Sequence, residues 1–250
     1  MNKRILIAVA AYFALAATAW AGSGGHGSHW GYTGEAGPSH WGDLNDDYHV
    51  CKEGMKQSPI NIDSATHRDK VSLAMNYKAT AVSVLNNGHT IQVNYEPGSS
   101  MTVDGKTYNL LQFHFHSPSE HTYKGNPYPL EAHLVHKADD GSLAVVGVFF
   151  KEGAENPLLS KVWSAMPKKA GETMKGMGAV NIADVLPNPK AYWNYSGSLT
   201  TPPCSEGVNW FVMDKSIQAS KAQIEQFLGV IHENARPVQP YHGRSVDHRM

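Results

Sequence analysis

Only two cysteines, Cys51 and Cys204, occur in 250 residues. That count excludes a cysteine-rich disulfide scaffold and any structural zinc site closed by four thiolates. Charge of either sign is also sparse, with 21 basic and 22 acidic residues making 17% of the chain. A net charge of −1 gives no electrostatic case for nucleic acid or an anionic membrane surface. Long apolar runs are missing apart from the first, from Ile5 to about Ala17. It follows Lys3 and Arg4 and is shorter than the roughly 20 residues a membrane span needs. Ala19-Trp20-Ala21 then offers small residues where a signal peptidase reads. Residues 1–21 are read as a secretory signal removed after Ala21, an uncleaved anchor being the rival. No membrane span remains after its removal, and the protein is expected to be periplasmic or secreted.

Residues 22–250 fit one domain by length. The signal takes two basic and no acidic residues with it, so the remainder carries −3. Both cysteines stay and face an oxidising compartment, where pairing with each other is the expected state and two buried free thiols the alternative. Gly22–Ser28, with His26, reads as a flexible lead-in. From Ala81 the chain alternates in strand fashion: "AVSVLN", "TIQVNY", "KTYNLLQFHFH", "LEAHLVH" and "LAVVGVFF" are separated by "NNG", "PGSS", "DG" and "DDG" turns. Helix signals are few. Asn156 can cap a helix that starts at Pro157 and runs towards Met166, and Ser220 with Gln223 forms a capping-box pattern. The pattern predicts a mostly β domain with a few short peripheral helices.

A strand turns alternate residues to opposite faces. Gln112, His114 and His116 therefore share one face, with Leu111, Phe113 and Phe115 on the other. Glu131, His133 and Val135 likewise share a face of a second strand. If the two strands are neighbours, His114, His116 and His133 converge. Three neutral imidazoles with an open fourth position make a catalytic rather than a structural zinc set. Gln112 and Glu131, each two residues before a histidine, can accept the other ring N–H. A lone H-x-H is weak evidence, because strand histidines also serve as exposed or hydrogen-bonded core residues. The second E-x-H strand strengthens it.

"QFHFHSPSEH" and "LEAHLVH", with "QSPINI" and "NNGH" upstream and "YWNYSGSLTTPPCSEGVNW" downstream, resemble the α-class carbonic anhydrases. The resemblance runs from "HWGY" at His29 to "RPVQP" at Arg236. It implies a central, twisted, largely antiparallel sheet of about ten strands and one Zn²⁺ per chain, held by His114, His116 and His133. It matches Gln112 and Glu131 to outer partners of those ligands. Thr200 matches the threonine that orients the zinc-bound nucleophile, and Glu120 the carboxylate that accepts the threonine's proton. His89 matches the proton shuttle, with Tyr32, Asn87 and Gln92 ordering the connecting water. Val135, Val145, Leu199, Thr201 and Trp210 match the substrate pocket. Cys51 and Cys204 match the disulfide of secreted members.

The implied activity is reversible hydration of carbon dioxide to bicarbonate and a proton. The substrate is a small molecule, and the assembly a monomer or homodimer. A zinc esterase, or a non-catalytic binding protein on the same fold, is the alternative; the presence of all three histidines argues against the latter. Two departures stand out: Ser117-Pro118 shortens the approach to the second strand, and Gln92 stands where some members have asparagine. Taken singly, Glu120, Thr200 and Trp210 also read as a turn residue, a strand-end hydroxyl and core. His121 and His136 are expected to be structural hydrogen-bonders, while His67, His232, His242 and His248 carry no motif.

Overall fold

The computed structural model describes residues 29–64, 73–188 and 191–249. The expected signal at 1–21, the lead-in with His26, and His67 lie outside the described residues. The five segments with the strongest alternation form strands Thr80–Asn86, Ile91–Asn94, Lys106–His116, Leu130–Lys137 and Leu143–Glu152. They are successive antiparallel neighbours in a twelve-stranded sheet. Beyond them the sheet continues through Glu206–Met213, Tyr192–Ser198 and Asp247–Arg249, with Thr173–Val180 at the opposite edge. Glu206–Met213 and Ile217–Ala219 pair in parallel with Leu143–Glu152, so the sheet is mixed but largely antiparallel.

Central strands are buried on both faces, which explains the near-continuous apolar run Leu143–Phe150. On one face Phe113, Phe115, Leu134 and Val146 pack with Leu159, Val162 and Phe227 from two helices. The opposite face carries a second cluster that includes Val145, Tyr195, Trp210 and Val212. The first helix has Asn156 accepting from the N–H groups of Leu158 and Leu159, with Pro157 as its first residue. It ends at Trp163, short of Met166, because the chain closes there in tighter turns, Ala165 N–H to Val162 O and Met166 N–H to Trp163 O. The second, Lys221–Ile231, has the reciprocal Ser220–Gln223 capping box.

One expectation fails locally. Leu111 does not join Phe113 and Phe115 in the core and is 44% exposed. The pairing with Leu130–Lys137 shifts by one residue between Leu110 and Gln112. This β-bulge reverses the parity of the strand, so Tyr108 and Leu110 on one side of it and Phe113 and Phe115 on the other all reach the same core. Cys51 and Cys204 are joined in a disulfide, packed with Trp41.

Candidate metal centre

His114 and His133 sit directly opposite one another on adjacent strands, and His116 opposes Glu131. Because parity places all three rings on one face, they converge: centroids are 5.1 Å apart for His114–His116, 5.4 Å for His114–His133 and 4.6 Å for His116–His133. One nitrogen from each lies within 4.8 Å of the other two. The remaining nitrogen of every ring is tied down. His114 Nδ1 meets Gln112 Oε1 at 2.9 Å, His133 Nε2 meets Glu131 Oε1 at 2.9 Å, and His116 Nδ1 meets the Asn234 backbone oxygen at 2.8 Å. All three partners are acceptors, so each ring is held with that N–H donating. His114 Nε2, His116 Nε2 and His133 Nδ1 are left for the shared space. His116 Nε2 is buried without any hydrogen-bond partner among the described residues. An orphaned buried imidazole nitrogen is costly unless a cation takes it, and three converging imidazole nitrogens fit a soft-to-borderline metal such as zinc.

Electrostatics favour the same arrangement. Burial, reinforced by the neighbouring rings, pushes His114 well below the usual imidazole range, and burial lowers His116 despite Glu120. Burial also opposes ionisation of Glu131, but His121 and His133 outweigh it and hold this carboxyl well below its usual range. Glu131 and Glu120 in turn outweigh burial at His133 and raise it. These two carboxylates thus favour positive charge at His133. Space for Glu131 comes from Gly147, opposite His133, where a Cβ would stand 2.9 Å from Glu131 Oε1.

Glu131 serves a second histidine. Its Oε2 accepts from the His121 backbone N–H at 2.9 Å and its Oε1 from His121 Nδ1 at 2.8 Å, while His121 Nε2 continues to Tyr195 Oη at 2.7 Å and thence to Ser58 Oγ at 2.8 Å. His121, Glu131 and His133 also lie close enough to hold a metal, but hydrogen bonds already join all three. His136 is likewise buried, with Tyr77 Oη at 2.8 Å from Nε2. Both fill the hydrogen-bonding places expected of them.

A cleft of about 150 Å³ opens over His114 and His116, lined also by Trp30, Tyr32, Asn87, His89, Gln92, Gln112 and Thr201. His89 is half-buried at its side and stacks on Trp30, with centroids 3.7 Å apart and planes 8° from parallel. Burial, then His29, lowers its pKa. Asn87 Oδ1 accepts from the backbone N–H groups of His89 and Thr90, so its acceptor oxygen braces the turn. Gln92 stands opposite His114, but its amide donates to Asn94 Oδ1 at 2.7 Å. The Tyr32 hydroxyl is buried and has no partner among the described residues.

Beside His133 the sheet supplies an apolar wall. Val135, Val145 and Trp210 lie in one row across three adjacent strands. Leu199 packs on the same cluster, and the Trp210 ring meets the His133 ring edge-on at 4.8 Å. Thr200 is buried next to Leu199. Glu120 is buried as well; its Oε1 accepts from the Arg236 backbone N–H at 3.0 Å, while Oε2 has no hydrogen-bond partner among the described residues and lies 3.8 Å from His133 Nδ1. Of the histidines without a motif, His248 stacks on Trp193 and lies 3.4 Å from Asp214, and His232 and His242 sit at positive φ.

A three-imidazole set beneath a cleft, with an apolar wall on one side and a half-buried histidine at its edge, makes a site that could hold a metal ion on a large mixed sheet. The comparisons give the family. The model of the eukaryotic-type carbonic anhydrase matches residues 36–250. A carbonic anhydrase of Pectobacterium carotovorum is 45% identical, over 88% of this chain and 91% of that one. The structure of the Thermovibrio ammonificans α-carbonic anhydrase with sulfanilamide is 47% identical, with a TM-score of 0.86 over 88% of this chain and 99% of that one. A hyperthermostable carbonic anhydrase from a hydrothermal vent chimney is 51% identical, with a TM-score of 0.84 over 89% and 100%. The chain belongs to the eukaryotic-type (α) carbonic anhydrase family and is an enzyme of that class. No helix among the described residues is long and apolar enough to cross a membrane.

Proposed function

We propose that the protein reversibly hydrates carbon dioxide to bicarbonate and a proton, with one Zn²⁺ held by His114 Nε2, His116 Nε2 and His133 Nδ1. The observation that carries this is the trio of inward nitrogens, each on a ring whose other nitrogen has a fixed acceptor. When bound, zinc supplies a Lewis acid that lets water ionise near neutral pH. The chain supplies the rest. Gln112, Glu131 and the Asn234 carbonyl hold the ring tautomers, and their alignment is fixed before the ion arrives. Thr200, buried next to Leu199, would turn its hydroxyl to donate a hydrogen bond to Glu120 Oε2, an acceptor with no partner among the described residues; the threonine oxygen would then present a lone pair to the reacting oxygen. Val135, Val145, Leu199 and Trp210, with Thr201 at the rim, give an apolar substrate a dry place beside that oxygen. His89, its pKa lowered by burial and His29, is neutral at pH 7 and free to take a proton from the cleft and release it outside. Tyr32 and Asn87 order the water between. Gln92 contributes least, its amide being engaged with Asn94.

Export to the periplasm or the exterior accompanies this reading. The N-terminal sequence pattern and the disulfide, which persists in oxidising compartments, support it. The test is stopped-flow hydration of carbon dioxide by the zinc-loaded protein beside its His114→Ala variant. Activity in the first and background in the second is expected. Equal rates in both would sink the proposal.

A further inference from the structure

Asn234 sits in the loop after Lys221–Ile231, fully buried, and its hydrogen bonds reach three parts of the site. Its backbone carbonyl accepts from His116 Nδ1, as described, and its N–H donates to Ser117 O at 3.1 Å. The side chain does something else. Oδ1 accepts from the Ser117 N–H at 2.8 Å, and Nδ2 donates both to Phe115 O at 2.9 Å and to His89 O at 3.0 Å. Both amide hydrogens and the amide oxygen are therefore engaged. Phe115 lies between the two ligands His114 and His116, so one side-chain amide ties the ligand strand to the main chain of His89. The opposite side of His89 is held by its N–H to Asn87 Oδ1 at 2.9 Å. Just before His89 the turn contains Gly88 at φ +87°, a position with little stiffness of its own.

We propose that the Asn234 side chain is a positioning residue for proton export. It fixes the main chain of His89 against the ligand strand and so sets the span that a proton crosses between the metal centre and the shuttle. The carbonyl of the same residue separately orients His116 and survives truncation of the side chain. This proposal rests on the carbonic anhydrase reading of the site. Misplacing a reacting group by about 1 Å can cost up to about a hundredfold in rate, and losing the amide releases one of the two polar anchors that the described residues place on the His89 backbone.

The test uses the zinc-loaded protein and its Asn234→Ala variant. Carbon dioxide hydration in weak buffer is expected to fall about tenfold or more, and added imidazole to restore it to within about twofold. Competition with a chromophoric chelator is expected to give a zinc affinity within about threefold of the parent, because the carbonyl to His116 remains. Adding Asn234→Ala to His89→Ala should cost nothing further, since both changes act on one step. A buffer-independent loss, a large drop in zinc affinity, an additive double variant or an unchanged rate each overturns the proposal. Asn234→Ser, which keeps a short acceptor for the Ser117 N–H but cannot reach His89 O, replaces the alanine variant if that one misfolds. A parent protein that hydrates no carbon dioxide overturns the reading of the site itself, a result distinct from an active parent with indifferent Asn234 variants.

Discussion

Glu131→Gln changes one atom and reverses the logic of the site. Three N–H groups point at this carboxylate: the His121 backbone, His121 Nδ1 and His133 Nε2, at 2.9, 2.8 and 2.9 Å. A glutamine has one acceptor oxygen and one donor group, so it cannot receive all three. If the amide oxygen faces the imidazoles, its NH₂ confronts the His121 N–H, and the unpaired buried donors cost about 1–3 kcal/mol each. If the amide flips, His133 must accept at Nε2 and move its proton to Nδ1, the nitrogen that faces His114 and His116. The ligand is then blocked, and the negative charge that favours a cation at His133 is lost in either case. Loss of such an outer partner costs about 10–100-fold in metal affinity, or about 1.4–2.7 kcal/mol. Competition against a chromophoric chelator measures that affinity, and urea unfolding of the metal-free protein measures the stability. Zinc affinity within about twofold of the parent would refute the reasoning, because it would mean that Glu131 does not fix the His133 ring.

Other consequences follow from particular residues. Burial lowers His136 from 6.5 to about 4. Above pH 6.5 native and unfolded chains are both neutral there; between 6.5 and about 4 only the unfolded chain takes the proton, so stability falls with falling pH by about 3 kcal/mol. Urea midpoints across that window should show the slope, and His136→Gln should lose it; an equal slope in both would be contrary evidence. Cys51 and Cys204 are 153 residues apart, so Cys204→Ser should lower stability by up to about 4–5 kcal/mol through the freed unfolded chain, read by denaturant unfolding against the parent. An unchanged midpoint would contradict this. Val145→Phe fills the pocket beside Trp210 and should lower kcat/KM on the order of a hundredfold with zinc affinity unchanged. A parent-like kcat/KM would remove Val145 from the substrate pocket.

The three-histidine cluster was legible because strand parity is local. The spacing of His114 to His116 and of Glu131 to His133 fixes a face, and only adjacency of the two strands had to be supplied by the fold. The third outer partner was not legible. His116 is oriented by a backbone carbonyl 118 residues away, and a carbonyl leaves no mark in sequence, nor does its residue type matter. The bulge at Leu111 escaped for a related reason: one inserted residue looks like ordinary alternation until its partner strand is known. The edge strand Thr173–Val180 is weakly apolar, with two glycines, and exposes most of its side chains, so periodicity had little to register. Arg236 and Asn234 carry no metal-site spacing at all, yet they bring a backbone N–H to Glu120 and an amide to His89.

Zinc titration of the metal-free protein, followed by stopped-flow carbon dioxide hydration, tests the central claim most directly. Activity should rise linearly with added zinc, saturate at one ion per chain, and vanish again with chelator. A zinc-replete protein that hydrates carbon dioxide no faster than buffer would contradict it.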